Sequence, residues 1–82
     1  METPVIHMNG TSPEQLLEGY SEMIYALNDA LSAMHRNGPN GRDYYPNGDD
    51  SLLKAQHEHK ARIDAVTAIW KELSQIAESL DA

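Results

Sequence analysis

Asn37-Gly38-Pro39-Asn40-Gly41-Arg42-Asp43-Tyr44-Tyr45-Pro46-Asn47-Gly48 divides this 82-residue sequence in two. Its Asn-Gly pairs and its two prolines stop helices and favour tight turns. Strongly periodic sequence lies on both sides of it. Helices in bundles are usually joined by two to eight residues, and longer connections tend to be functional. This one is longer, and it carries an arginine and two adjacent tyrosines.

Upstream, Ser12-Pro13-Glu14-Gln15 signals a helix start. Ser12 suits the N-cap, Pro13 the first turn, Gln15 a capping box, and Glu14 the positive end of the helix dipole. Apolar residues then recur in steps of three and four at Leu17, Tyr20, Ile24, Leu27, Leu31 and Met34, flanked by Leu16, Met23 and Ala30. That is the apolar stripe of a bundle helix. Glu14, Glu18, Glu22, Asn28, Asp29 and Ser32 take the opposite face. Gly19 is costly inside a helix and is expected to mark a close backbone approach. Arg36 and then Asn37-Gly38-Pro39 end the segment.

Downstream, Asp49-Asp50-Ser51 opens a second helix. Its stripe runs through Leu52, Ala55, His59, Ile63, Val66, Trp70, Leu73, Ala77 and Leu80, widened on one side by Ile69 and Ile76. Lys54 with Glu58, Glu58 with Arg62, and Lys60 with Asp64 form i,i+4 pairs on the outer surface. The expected fold is therefore all-α: an antiparallel helical hairpin with a long intervening loop. Residues 1–11 read as a flexible lead-in and 12–82 as a single domain. Within it the helices cover about 13–36 and 51–80, and the loop 37–50. Each stripe is wider than one partner helix can cover, so the hairpin is expected to assemble into a homo-oligomeric helical bundle, most simply a homodimer.

Composition limits the function. The 82 residues suffice for one small domain. With no cysteine there is neither a disulfide framework nor a thiolate metal site. Thirteen acidic against six basic residues give a formal charge of −7, which disfavours nucleic-acid polymers and anionic membranes as partners. No apolar run reaches the length of a membrane span, and the first ten residues lack the basic start of a signal peptide, so a cytoplasmic protein is expected.

Candidate chemistry is sparse. His57 and His59 are two residues apart, which on a helix points them about 200° from one another, so neither a metal nor a cofactor is expected. His59 falls on the core stripe and reads as packed or hydrogen-bonded. The serines occupy caps and helix surfaces, no phosphate-binding glycine loop follows a strand, and the acids of the first helix read as a solvated face, so an enzyme is not expected. The loop holds the remaining chemistry. Arg42 offers a planar fork for phosphate or carboxylate. Tyr44 and Tyr45 offer stacking faces for a base. Asp43 can accept from a base edge or hold Arg42. The alternative is that the two tyrosines plug the open end of the bundle while Arg42 pairs with Asp43 or Asp49. Tyr25, toward the polar face of the first helix, is a further aromatic candidate or a partly exposed ring packed on its own helix.

Gly41-Arg42-Asp43-Tyr44-Tyr45-Pro46, followed by Glu58-His59 and Arg62, resembles a motif of short helical proteins of tailed bacteriophages and prophages. The resemblance covers about residues 37–66. Phage proteins of this size and make-up include nucleotide sponges, oligomers that sequester the cyclic nucleotide signals of defence systems such as CBASS and Thoeris. The resemblance implies a non-catalytic anti-defence protein in the host cytoplasm that binds a small cyclic nucleotide at a subunit interface. Arg42 would grip phosphate and Tyr44 and Tyr45 would stack on base, with Tyr25, Arg36 or His59 contributing from a neighbouring subunit. Two other readings stand beside it. One is an inhibitor whose acidic first helix mimics a nucleic-acid backbone against a basic protein; the other is a small structural bundle.

Overall fold

The computed structural model describes residues 1–80 and is built of two long helices, α1 (Pro13–Arg36) and α2 (Asp49–Leu80), packed as a hairpin. The connection between them is wound into two short 3-10 turns, Gly41–Asp43 and Tyr45–Asn47. The start of α1 follows its capping signal: Ser12 Oγ accepts from the Gln15 N–H at 3.2 Å, and Pro13 occupies the first turn. α2 begins at Asp49, two residues before the expected position, because Asp49 and Asp50 both join its first turn. Carboxylates are favoured there by the helix dipole. Gly48 makes the entry possible. Its φ of 102° and ψ of 166° lie in a region that is essentially closed to residues with a side chain.

Every residue of the two expected stripes is at least half-withdrawn from solvent, from Leu17 through Met34 on α1 and from Leu52 through Leu80 on α2. None of them is fully buried. The only buried hydrophobic side chain among the described residues is Ile76, at 8 % exposure. A pair of helices encloses no centre, so each core residue keeps one side open. The indole of Trp70 is the exception at atomic scale: its Nε1–H is shut away from solvent with no acceptor in reach among the described residues.

One contact fixes the register. His59 Nε2–H donates to the Met34 carbonyl at 2.7 Å. From Met34 back to Pro13 and from His59 on to Leu80 are equal runs of residues, so the free ends of the helices finish level. The first eight residues of α2 then project beyond the end of α1, by roughly 12 Å at 1.5 Å per residue. The loop walks down this overhang, with Gly38 beside His59 and Gly41 beside Leu52. Its length is thereby explained: it covers the apolar side of a helix that would otherwise project bare.

Two expectations are corrected. Gly19 makes no close approach, since a Cβ built there meets nothing within 4 Å. Of the surface pairs, Lys60–Asp64 closes to 2.8 Å and Arg62–Glu58 to 3.9 Å, whereas Lys54 does not reach Glu58. Both pairs are exposed and add a few tenths of a kcal/mol at most.

The molecule is long, at 62 × 20 × 17 Å, and its radius of gyration of 18.4 Å compares with about 12 Å for a compact chain of this length. Its accessible surface of 6293 Å² exceeds by about 1,400 Å² the value of roughly 4,900 Å² expected for a compact 9.1 kDa protein. No helix among the described residues is long and apolar enough to cross a membrane.

The positive φ at Gly48 gives a direct test. Gly48→Ala should cost about 1–3 kcal/mol, read from the midpoint of urea unfolding. Gly19→Ala, in an open helical site, should not destabilise the monomer.

Candidate functional site

At the level of the His59–Met34 bond, where α1 stops and the loop departs, lies an open cavity of about 400 Å³. Arg36 and Asn37 line it from the end of α1, Gly38, Pro39 and Asn40 from the start of the loop, Asp43 and Tyr44 from the first 3-10 turn and its cap, and His59 and Arg62 from α2.

The local structure is set by caps. A helix leaves its last carbonyls without partners, and here two are satisfied from the cavity wall. The Ala33 carbonyl accepts from the Asn37 backbone N–H at 3.1 Å and from its Nδ2 at 2.7 Å. The Met34 carbonyl accepts from His59. A carbonyl can only accept, so His59 carries a proton on Nε2. Asn40 then organises the turn. Its Oδ1 accepts from the Arg42 N–H at 3.1 Å while its Nδ2 donates to Asp43 Oδ2 at 3.0 Å. Asp43 is therefore held by Asn40 rather than by Arg42.

The electrostatics follow. Two arginines, Arg36 and Arg62, line one space together with a single acidic residue, Asp43. Arg62 also lies 3.9 Å from Glu58, a long and exposed contact that leaves its fork available. The last-turn carbonyls of α1 would repel an anion, but Asn37 and His59 occupy those of Ala33 and Met34. Tyr44, half-buried, lines the same space and is its one aromatic residue. Two forks, side-chain amides and one aromatic ring are suited to a small anion bearing a flat group.

Of the seven residues singled out from the sequence, the structure brings together Arg36, Asp43, Tyr44 and His59. The other three lie off the cavity. Arg42 is exposed and makes no ion pair among the described residues. Tyr45 is 77 % and Tyr25 68 % exposed. The split within the loop has a simple cause, because successive residues of a 3-10 turn are rotated by about 120°. Neighbours such as Arg42 and Asp43, or Tyr44 and Tyr45, cannot all face one side. Arg62 was missed, having been read as the surface partner of Glu58. It lies three residues after His59, a helical neighbour, and that spacing was the signal available. Among the described residues no three potential metal ligands converge.

His59→Ala should lower stability by about 1–2 kcal/mol in urea unfolding, because the Met34 carbonyl loses its donor at a partly buried position. Hydrogen exchange at the Asn37 amide should rise with it, reporting release of the α1 end. Compared with protein-family models, with curated proteins and with solved structures, the chain finds no match.

Proposed function

We propose that this protein is a non-catalytic binder of a small phosphate-bearing ligand of the nucleotide class, held in the cavity between the end of α1, the loop and α2. The observation that carries this reading is that Arg36, Arg62 and Tyr44 all line one cavity. Its volume of about 400 Å³ lies in the range of small-ligand pockets, about 300–1,000 Å³. Arg36 and Arg62 take the phosphate oxygens, Asn37 and Asn40 supply amide contacts, and Tyr44 lies against the base. Asp43 offsets one of the two cationic charges, so the ligand is held by directed contacts to the guanidinium forks rather than by net charge. The resemblance of the Gly41–Pro46 motif to short phage proteins favours a cyclic nucleotide signal as that ligand, and sequestration in a host cytoplasm as the purpose. In this version of the site Arg42 and Tyr45 stand outside the first contacts.

A second reading is favoured by one specific observation. Glu14, Glu18, Glu22 and Asp29 are all exposed, and none joins an ion pair among the described residues. Glu14, Glu18 and Glu22 follow one another at roughly 6 Å along α1. Such a row can present a phosphate-like ladder to a basic protein. Binding of that kind weakens steeply with salt and does not depend on Arg36 or Arg62.

The two readings separate in calorimetry with a panel of cyclic dinucleotides and cyclic ADP-ribose derivatives. At least one member should bind with Kd below about 10 μM, or about −7 kcal/mol. Arg36→Ala and Arg62→Ala should each weaken it by about tenfold or more, since a charge-assisted contact contributes about 1.5–3 kcal/mol. Arg42→Ala and Tyr45→Ala should leave it within about twofold. Absence of any ligand at that affinity rejects the nucleotide reading.

A further inference from the structure

We propose that one long side of the hairpin is the interface on which a second copy of this chain docks. At 100° per residue, Leu16, Met23 and Ala30 lie roughly 50–90° round α1 from the line of contact with α2. Ile69 lies roughly 70° round α2 in the same rotational sense, whereas Ile76, farther round, is already covered within the chain. In antiparallel helices equal rotations of one sense bring both flanks to the same side of the pair. Met23 and Ile69 are then neighbours across the hairpin, because the His59–Met34 register sets position 23 against position 70. They are 42 % and 50 % exposed, although neither is at a chain end or in a loop.

The other side of the hairpin differs in kind. The opposite rotation brings up Ser21 and Asn28 from α1 and Thr67 and Ser74 from α2. The pair of helices is thus amphipathic as a unit, with one polar and one apolar side. Gly19 belongs to the apolar side too, and a Cβ added there meets open space within the chain.

Three observations select a second copy as the occupant. The first is area. The chain exposes about 1,400 Å² more than a compact protein of its mass, whereas a standard interface covers about 800 Å² per partner. The second is charge. Despite the net −7, the apolar side carries no charged residue on α1 between positions 16 and 30, and on α2 Glu72 borders it while Glu58 and Arg62 lie within it near the loop. Glu14, Glu18, Glu22 and Asp29 lie on the far side of α1, so two copies meet without bringing their acids together. The third is symmetry: a flat side composed of Met, Leu, Ile and Ala is complementary to itself, and a two-fold contact uses it twice. This interface does not depend on the ligand reading. Arg62 stands at its loop end, so the cavity opens beside it.

The test uses the intact chain without ligand. Sedimentation from about 1 to 200 μM should show association to a dimer. Met23→Glu combined with Ile69→Glu should raise the dissociation constant by at least a hundredfold, with helix content checked by circular dichroism. Asn28→Glu, on the polar side, should leave it unchanged. Because the chain has no cysteine, single thiols give a second readout that leaves the apolar contact nearly intact. The thiol of Ala30→Cys should react at least fivefold more slowly at 200 μM than at 1 μM, and that of Ser32→Cys should react equally at both. A monomer throughout the range overturns the proposal. So does protection at position 32 instead of position 30.

Discussion

The bond from His59 Nε2–H to the Met34 carbonyl ties together the two ends of the design. It is a long-range contact in sequence and a short one in space. It caps one helix with a side chain of the other and sets which residues of the two stripes oppose each other. Without it the stripes would still attract, since apolar contact is non-directional, but a slide by one helical turn would cost little. A thin, open core of half-buried side chains is weak at specifying register, and a directional hydrogen bond at one end supplies what the packing lacks.

The same bond organises the candidate site. By occupying the Met34 carbonyl it removes one of the negative groups that an incoming anion would meet. It also positions His59 as a wall, with Arg62 one turn further along the same face. Arg36 comes from the last turn of α1, where cations complement the dipole. A structural preference of helix ends has therefore placed one of the two cations, and the register has placed the other opposite it. Glu14, Glu18, Glu22 and Asp29 lie before the last turn of α1, so Arg36 meets no acid of its own helix at that end.

The helices and their contact faces were legible in the sequence because they depend on local periodicity. Ser12 and Pro13 announce one start, Asp49 and Asp50 the other, and each stripe residue follows from the step before it. The register was not legible. It is set by a contact between residues far apart in the chain, and His59 showed only that it belonged on the stripe. Without the register the overhang of α2 could not be foreseen, so the loop looked like excess length. The site was legible in part for the same reason. Arg36 and His59 could be suspected from their places at a helix end and on a stripe, and Asp43 and Tyr44 from the loop motif. That Arg42 and Tyr45 turn outward depends on the hand and pitch of two 3-10 turns. That Arg62 turns inward depends on where α1 ends.

The overhang has a consequence for how this protein can change. Along the matched stretch, every substitution on one helix is felt by the other, and the core has little depth with which to absorb it. Over its first eight residues α2 is met by the loop rather than by α1, and the loop returns to α2 at places such as Gly41 and Leu52. Distant, weakly coupled sites contribute to stability nearly independently, and loops on a rigid scaffold tolerate exchange. The tip can thus be rewritten residue by residue while the hairpin below stays the same. A lineage of such proteins would share a shaft and differ in what its tip holds.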